Sequence, residues 1–387
     1  MRKPLLALLL FIGNFSLFSQ SLDNLSFGEE NTFEVATWNL EFFPKNGQTT
    51  IDSAAMVIKS LDIDVFALQE INDVAAFQSL LNNLPGWDGF FASNTSPGLA
   101  YVYDTSEIEV IIIYQIYQSF QREFPRPPLV MELLFKGEHF VIINNHFKCC
   151  GNGVINHNDP WDEEKRRFDA SNLLTQLIGV NYSNNRVIVL GDLNDVLTDN
   201  AVNNVFQDLL DDPTNYLFAD MGIAQGSSSQ WSFPSWPSHL DHIFMTSELF
   251  PEFGNDSSEI KTIRVSDFLA GGLSEYDATM TDHYPVALKI QINPNSVGID
   301  ASRTKKRLLS VYPNPTAGST RIRVHSSDQA ASIKIFTLTG QLIDQLYITR
   351  SQSSITWESG VLPEGIYYFQ LLHHEEIKAV EKVVIFR

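Results

Sequence analysis

The segment Arg186–Leu197 reads RVIVLGDLNDVL. Val187 to Leu190 is an unbroken aliphatic run that suits a buried strand. It stops in Gly191-Asp192-Leu193-Asn194, which offers a carboxylate and a carboxamide two residues apart. Alternation along an extended chain puts such residues on one side, so Asp192 and Asn194 are expected to face the same space. Five other segments carry similar groups: Trp38-Asn39-Leu40-Glu41, Leu68-Gln69-Glu70, Asn145-His146-Phe147-Lys148, His239-Leu240-Asp241-His242 and Thr281-Asp282-His283-Tyr284-Pro285. Singly, each has an ordinary explanation. Asn closes turns, a lone Glu is commonly solvated, and an isolated His is more often structural than a ligand. Their conjunction says more. All fall at the edge of an expected strand, mostly its C-terminal end, where α/β sheets open their crevices. Asn39, Glu70 and Asp282 are hard oxygen donors suited to Mg²⁺ or Mn²⁺, with Ca²⁺ as an alternative. No zinc-type cysteine spacing accompanies them. Acids beside two histidines fit phosphate chemistry with a divalent ion: the ion neutralises the anionic substrate and the acids handle the water.

The elements that must hold these groups alternate from residue 33 onward. Strands are expected at 33–38, 65–68, 100–103, 110–114, 129–135, 139–145, 187–190, 240–244, 260–265 and 286–292. Apolar spacing predicts helices over 51–61 and 74–84. A third helix has Asp159 as its expected N-cap, Pro160 in its first turn and acids after it. Its expected core face is Phe168, Leu173, Leu174, Leu177 and Ile178. Interleaved helices and consecutive strands predict mixed sheets flanked by helices rather than one parallel wind. Residues 294–307 are polar, carry no period and read as a linker. Short strands and turns follow to residue 387, the spacing of a small β-sandwich.

The chain has 387 residues and a net charge of −20. That length allows two domains, expected at 30–293 and 308–387. The acidic excess lies before residue 301, and the tail is mildly basic. Such a surface repels duplex phosphate and excludes tight non-specific wrapping of DNA, unless local basic patches or metal ions intervene. Residues 1–20 have the three parts of a secretory signal peptide. Arg2 and Lys3 start it, Leu5 to Ile12 form a short apolar centre, and small polar residues follow around Ser19. No later stretch is apolar over the length a membrane helix needs, so no stable membrane insertion is expected. The two cysteines are neighbours, Cys149 and Cys150. They read as loop thiols, with a strained vicinal bridge as the alternative in an oxidising compartment.

WNLE, LQE, NNHFK, GDLND, HLDHIF and TDHYPV, in that order, resemble the endonuclease/exonuclease/phosphatase superfamily, the fold of pancreatic-type deoxyribonuclease. Pro125-Arg126-Pro127-Pro128-Leu129 followed by NNHFK is most similar to its secreted bacterial nucleases. The resemblance implies a four-layer α/β sandwich, two mixed sheets face to face with helices outside. It implies Glu70 as principal metal ligand, with Asn39 and Asp282 nearby and Glu41 as an additional acid. Asp192 would orient or deprotonate the attacking water, and Asn194 would hold that water or donate to phosphoryl oxygens. His283, fixed by Asp241, would contact those oxygens. His146 would be a second phosphate contact or the general acid. Arg126 and Lys148 are the candidate substrate contacts. Two departures stand out. Thr95-Ser96-Pro97-Gly98 occupies the place of a carboxylate that pairs with the histidine matching His146, and Cys149-Cys150-Gly151 replaces polar and basic residues. In the tail, SVYPNPTAG, IFTLTGQ and GIYYF resemble the type IX secretion sorting domain of Gram-negative bacteria. The chain is thus expected to be a monomeric, secreted or surface-delivered hydrolase. Its expected partners are nucleic acid as substrate and the type IX machinery. A sphingomyelinase-like or inositol-phosphate phosphatase is the alternative.

Overall fold

Along β1 (Thr32–Phe43) the side chains alternate between two cores. Phe33 and Val35 enter one apolar cluster; Ala36, Trp38 and Leu40 enter another. A strand buried on both faces must lie in the middle of a layered structure. The computed structural model describes residues 21–92, 97–292, 309–324, 331–337, 342–349, 354–373 and 376–386. The expected signal peptide, the linker 294–307 and the positions Thr95 and Ser96 lie outside the described residues.

Two six-stranded sheets build the larger unit. The first joins β1 to β2 (Val65–Ile71), β3 (Trp87–Phe91), β4 (Gly98–Asp104), β11 (Glu259–Thr262) and β12 (Val286–Gln291), in the order β11-β12-β1-β2-β4-β3. The second contains β5 (Ile108–Gln115), β6 (Leu129–Phe135), β7 (Glu138–His146), β8 (Arg186–Asp192), β9 (Tyr216–Phe218) and β10 (Asp241–Thr246), in the order β5-β6-β7-β8-β10-β9. Each sheet has one parallel pair, β1 with β2 and β7 with β8. A parallel pair needs a crossover. Helix α1 (Gln48–Leu61) supplies the first and α3 (Glu163–Asn181) the second. Helix α2 (Val74–Asn82) joins α1 on the outer face of the first sheet. The inner faces share one apolar layer, in which Phe33, Val35 and Leu288 meet Leu133, Phe140 and Ile188. The expected four layers are therefore present.

Edge elements were the ones that periodicity missed. β3 is half-exposed along its length, β9 spans three residues, and the helix Gly272–Thr279 buries only Tyr276. The N-cap of α3 also differs from expectation. Asp162, not Asp159, accepts the Lys165 amide at 2.8 Å. The Asp159 carboxylate instead accepts the Trp161 amide at 2.9 Å, so Asp159 and Pro160 close a turn before the helix. The expected core face of α3 does pack inward.

The tail pairs β13 (Leu309–Tyr312), β14 (Ser319–Val324) and β17 (Ser354–Glu358) in one sheet. β15 (Ala331–Thr337), β16 (Leu342–Ile348), β18 (Gly365–His373) and β19 (Glu376–Ile385) form the other. Leu309 and Ile322 of the first sheet meet Ile335 and Phe369 of the second in one core, the arrangement of a β-sandwich. No helix among the described residues is long and apolar enough to cross a membrane.

Gly191, next to last in β8, has φ +150, and a Cβ there would run into the Asn145 carbonyl of β7. Gly191→Ala should destabilise the larger unit by about 3 kcal/mol or more. A denaturation midpoint measured beside Gly222→Ala, where a Cβ meets open space, checks this; equal midpoints would contradict it.

Candidate active site

The C-terminal ends of the parallel pairs meet at one edge of the sandwich. In the second sheet the register places His146 beside Asp192 and Asp192 beside Asp241. Residues side by side in adjacent strands share a face. Ile142, Ile188, Leu190 and Ile243 lie in the inter-sheet core. By alternation His146, Asp192 and Asp241 extend that face to its rim. In the first sheet Asn39 pairs with Gln69. The next residue, Glu70, has φ +60. Pairing shifts register around it, between Leu68 and Ile71. Such an irregularity re-aims a side chain, and the Glu70 carboxylate joins the inner rim.

The Asn39 amide ties the sheets together. Its Nδ2 donates to Asp192 Oδ2 at 2.9 Å and to Glu70 Oε1 at 3.2 Å. Glu70 Oε2 accepts the Phe42 backbone amide at 3.1 Å. His283 arrives on the turn before β12, with Nδ1 at 2.7 Å from Asp241 Oδ2 and Nε2 at 3.9 Å from Asp192 Oδ2. Asp282 Oδ1 stands 3.8 Å from His283 Nε2. His146 Nε2 lies 3.5 Å from Asp192 Oδ2 and 3.8 Å from Glu70 Oε1. Glu41 turns aside: its Oε2 accepts the Asp282 amide at 3.0 Å and pairs with Lys45. Asn194 meets Asp192 through a turn rather than through strand alternation. β8 has ended, Asn194 has φ +53, and its backbone N–H donates to Asp192 Oδ1 at 3.1 Å, while its side-chain Nδ2 donates to the Phe147 carbonyl at 3.3 Å.

Burial and crowding of acids shape the electrostatics. Burial pushes the Asp192 carboxyl up to about 7, and the Asp241 and Glu70 charges add to the shift while His283 opposes it. Burial raises Asp282 to about 6, with Glu41 also contributing. For His283 burial opposes the charged form, but Asp241 and Asp192 outweigh it and hold the imidazole near 10. His146 goes the other way: burial, then the Arg126 and His283 charges, depress it well below the usual range. No carboxylate among the described residues bonds its buried Nδ1. Arg126 forms no ion pair among the described residues. Lys148 Nζ folds back on the Cys149 carbonyl at 2.9 Å.

This donor set suits a divalent cation. Asp241 Oδ1 and Asp282 Oδ1 are buried acceptors with no hydrogen-bond donor among the described residues. Three carboxylates, Asp192, Asp241 and Asp282, crowd the His283 cation, and the available atoms are oxygens and imidazole nitrogens rather than thiolates. Ligand atoms of Asp192, Asp241 and His283 lie within 4.8 Å of one another. A second group, Asp220, His239 and His242, is equally tight, and within it Asp220 and His242 are matched to each other. His242 Nε2 donates to the Asp195 carbonyl at 2.8 Å, and its Nδ1 faces Asp220 Oδ2 at 2.6 Å. His239 Nδ1 accepts the Ser232 amide at 3.3 Å. Its buried Nε2 stands 3.0 Å from Asp220 Oδ2 without a hydrogen bond to it.

Several supporting residues escaped the sequence reading. Trp38 Nε1 donates to the His283 carbonyl at 3.1 Å, and Thr281 Oγ1 donates to the Asn39 carbonyl at 2.8 Å. The Phe233 ring packs on the His283 ring at 4.8 Å. Arg167, buried in α3, donates to Asp195 and to the Lys148 and Cys150 carbonyls, joining two loops at the rim. The visible signal was an Arg within a run of charges, which a solvated helix face would also give.

The sequence profile of the endonuclease/exonuclease/phosphatase family matches residues 36–283, and that of the secretion system C-terminal sorting domain matches residues 310–386. No curated protein matches the chain significantly. Among solved structures, D. rerio TDP2 complexed with single-strand DNA product is 15% identical, with a TM-score of 0.52 over 68% of this chain and 100% of that one. A humanized D. rerio TDP2 gives 15% identity and a TM-score of 0.50 over the same shares, 68% and 100%. An endonuclease/exonuclease/phosphatase from Bacteroides vulgatus gives 16%, 68% and 99%, with a TM-score of 0.49. At such identities the two TDP2 likenesses speak to the fold. The profile matches show that the chain belongs to the endonuclease/exonuclease/phosphatase family of phosphoric ester hydrolases and carries a type IX secretion sorting domain behind that unit.

Proposed function

We propose that the protein is an exported, divalent-metal-dependent phosphodiesterase acting on nucleic acid outside the cell, as a monomer. The observation that carries this reading is the row His146, Asp192 and Asp241, faced by His283 and bridged through Asn39 to Glu70. Glu70, with Asp282, would hold the ion, and Asn39, whose Oδ1 accepts the Glu41 amide, would orient the Glu70 and Asp192 carboxylates through Nδ2; Glu41 fixes the Asp282 backbone. A bound divalent ion would neutralise the phosphate and polarise its oxygens. Asp192, with its pKa near neutrality, is suited to take a proton from the attacking water. Asn194 lies beside it to orient that water. His283, kept cationic by Asp241, donates from Nε2 to a phosphoryl oxygen. A neutral His146 serves as a second phosphate contact. Arg126 is the candidate contact for the flanking phosphate, and Lys148 becomes one if it leaves the Cys149 carbonyl.

The charge of −20 favours one rival of the same chemistry, a phosphatase or phospholipid diesterase with a compact substrate and no need of a long basic groove. A release assay on plasmid, single-stranded DNA, RNA, sphingomyelin and sugar phosphates, with and without chelator, tests both. Chelator-sensitive nucleotide release supports the proposal. Release from the lipid or sugar phosphates alone transfers it to the rival.

His146→Ala should cost clearly less than the ~10²-fold or more of a general acid or base, since its Nδ1 lacks a carboxylate partner. Steady-state kinetics beside His283→Ala decide this, and equal losses would make His146 an acid in its own right. Truncation after Asn293 should leave catalysis intact and abolish surface delivery, measured by activity and cell fractionation. An unfolded, inactive truncate would contradict the expected division into two domains.

A further inference from the structure

We infer that Cys149 and Cys150 are a redox modification site: in the exported protein they close a vicinal disulfide that locks the loop beside the candidate active site. Cys149 Sγ and Cys150 Sγ stand 2.8 Å apart. Non-bonded carbon atoms, which are smaller, already rest at ~3.5–4.0 Å. Two thiols at this separation repel, and a bond of about 2.05 Å relieves the contact with little motion. Neighbouring residues lie closer than an ordinary disulfide prefers, so the backbone must turn between them. It does: Cys150 has φ +73, in the left-handed region that non-glycine residues seldom occupy.

Buried charges hold that turn in place. Arg167 Nη1 donates to the Lys148 carbonyl at 2.8 Å and to the Cys150 carbonyl at 2.7 Å. Glu164 accepts the Gly153 amide, and a Cβ at Gly151 would collide with the Glu164 carboxylate. Contacts from α3 thus bring the loop close to the shape that the sulfur bond then locks. Cys150 is exposed and Cys149 partly so, which leaves both open to exchange. The chain has only these two cysteines, so neither has another partner within the molecule. The sorting domain directs the chain out of the reducing cytoplasm.

The co-reactant is a disulfide, either a thiol oxidase of the export route or a small disulfide. The Cys150 thiolate attacks one sulfur of RSSR and releases RS⁻. The Cys149 thiolate then attacks Cys150 Sγ in the mixed disulfide and releases the second RS⁻. Two protons leave the cysteines and two RSH form; the pair is oxidised and RSSR is reduced. A bridge strained in this way is also easily reduced, so the loop can answer to ambient thiols. On the phosphodiesterase reading, closure fixes the rim backbone from which the Lys148 side chain reaches substrate.

The full chain is equilibrated with oxidised glutathione, alkylated under denaturing conditions and weighed by mass spectrometry. Wild type should take up no alkylating group before reduction and two after it, with no glutathione retained. Cys149→Ser should instead trap glutathione on Cys150. Two alkylatable thiols in the oxidised wild type, retained glutathione or disulfide-linked dimers would overturn the inference. This readout needs no substrate, so it stands or falls apart from the phosphodiesterase reading. Reduction, or the double Ser variant, should raise KM for single-stranded DNA several-fold at unchanged kcat; identical KM values would overturn the locking role.

Discussion

Glu70→Gln should lower kcat/KM by ~10³-fold or more, the loss of about 4 kcal/mol that a misplaced divalent ion represents. The substitution keeps size and shape. Asn39 Nδ2 and the Phe42 amide, which now donate to the two carboxylate oxygens, compete for one remaining acceptor oxygen. Gln also tolerates the positive φ at this position no worse than Glu does. Folding should therefore survive while the negative charge is gone. Glu70 alone reaches the pocket from the end of β2, so no neighbouring acid on that strand can replace it. Calorimetric titration with Mg²⁺ or Mn²⁺ should show weakened binding in parallel. A variant that still turns over at the wild-type rate would remove Glu70 from the mechanism.

The second large effect is at His283. Its replacement by Ala should reduce kcat by ~10²-fold or more, the scale of a lost general acid or oxyanion donor. The 2.7 Å contact with Asp241 holds the ring with Nε2 aimed at the space beside Asp192. Asp241→Asn should then reproduce much of the loss while leaving His283 in place, because an amide can accept from Nδ1 but cannot sustain the cation. Both variants keep Trp38 and Tyr276, which brace the His283 carbonyl, so the backbone should hold. Kinetics on the pair, with circular dichroism to verify folding, check the claim. An Asp241→Asn variant of full activity would separate the two residues.

Much of this arrangement was legible in the sequence, for a physical reason. His146, Asp192 and Asp241 each continue the inward positions of an apolar strand, so alternation alone carries them to the same rim. The apolar strands themselves were visible as unbroken or alternating runs. Glu70 was legible as an oxygen donor at a strand end, but its inward aim was not. By alternation Gln69 is the inward residue, and it is the left-handed backbone at Glu70 that reverses the order. Alternation predicts the Asn194 side chain beside Asp192, but the chain turns after β8, so the backbone N–H of Asn194 meets Asp192 while its side chain reaches the Phe147 carbonyl. Arg167 and Trp38 act through backbone carbonyls distant in sequence, and no local pattern encodes such contacts. β3 was hidden because none of its five residues is fully buried, and β9 because three residues are too few to show a period.

On the proposed function, these side chains converge to hold a divalent cation against a phosphodiester. The most direct test is hydrolysis of single-stranded DNA by the full chain after exhaustive chelation, followed by titration with Mg²⁺. No cleavage in chelator and saturable recovery with added Mg²⁺ is the predicted result. Undiminished cleavage in chelator would contradict it.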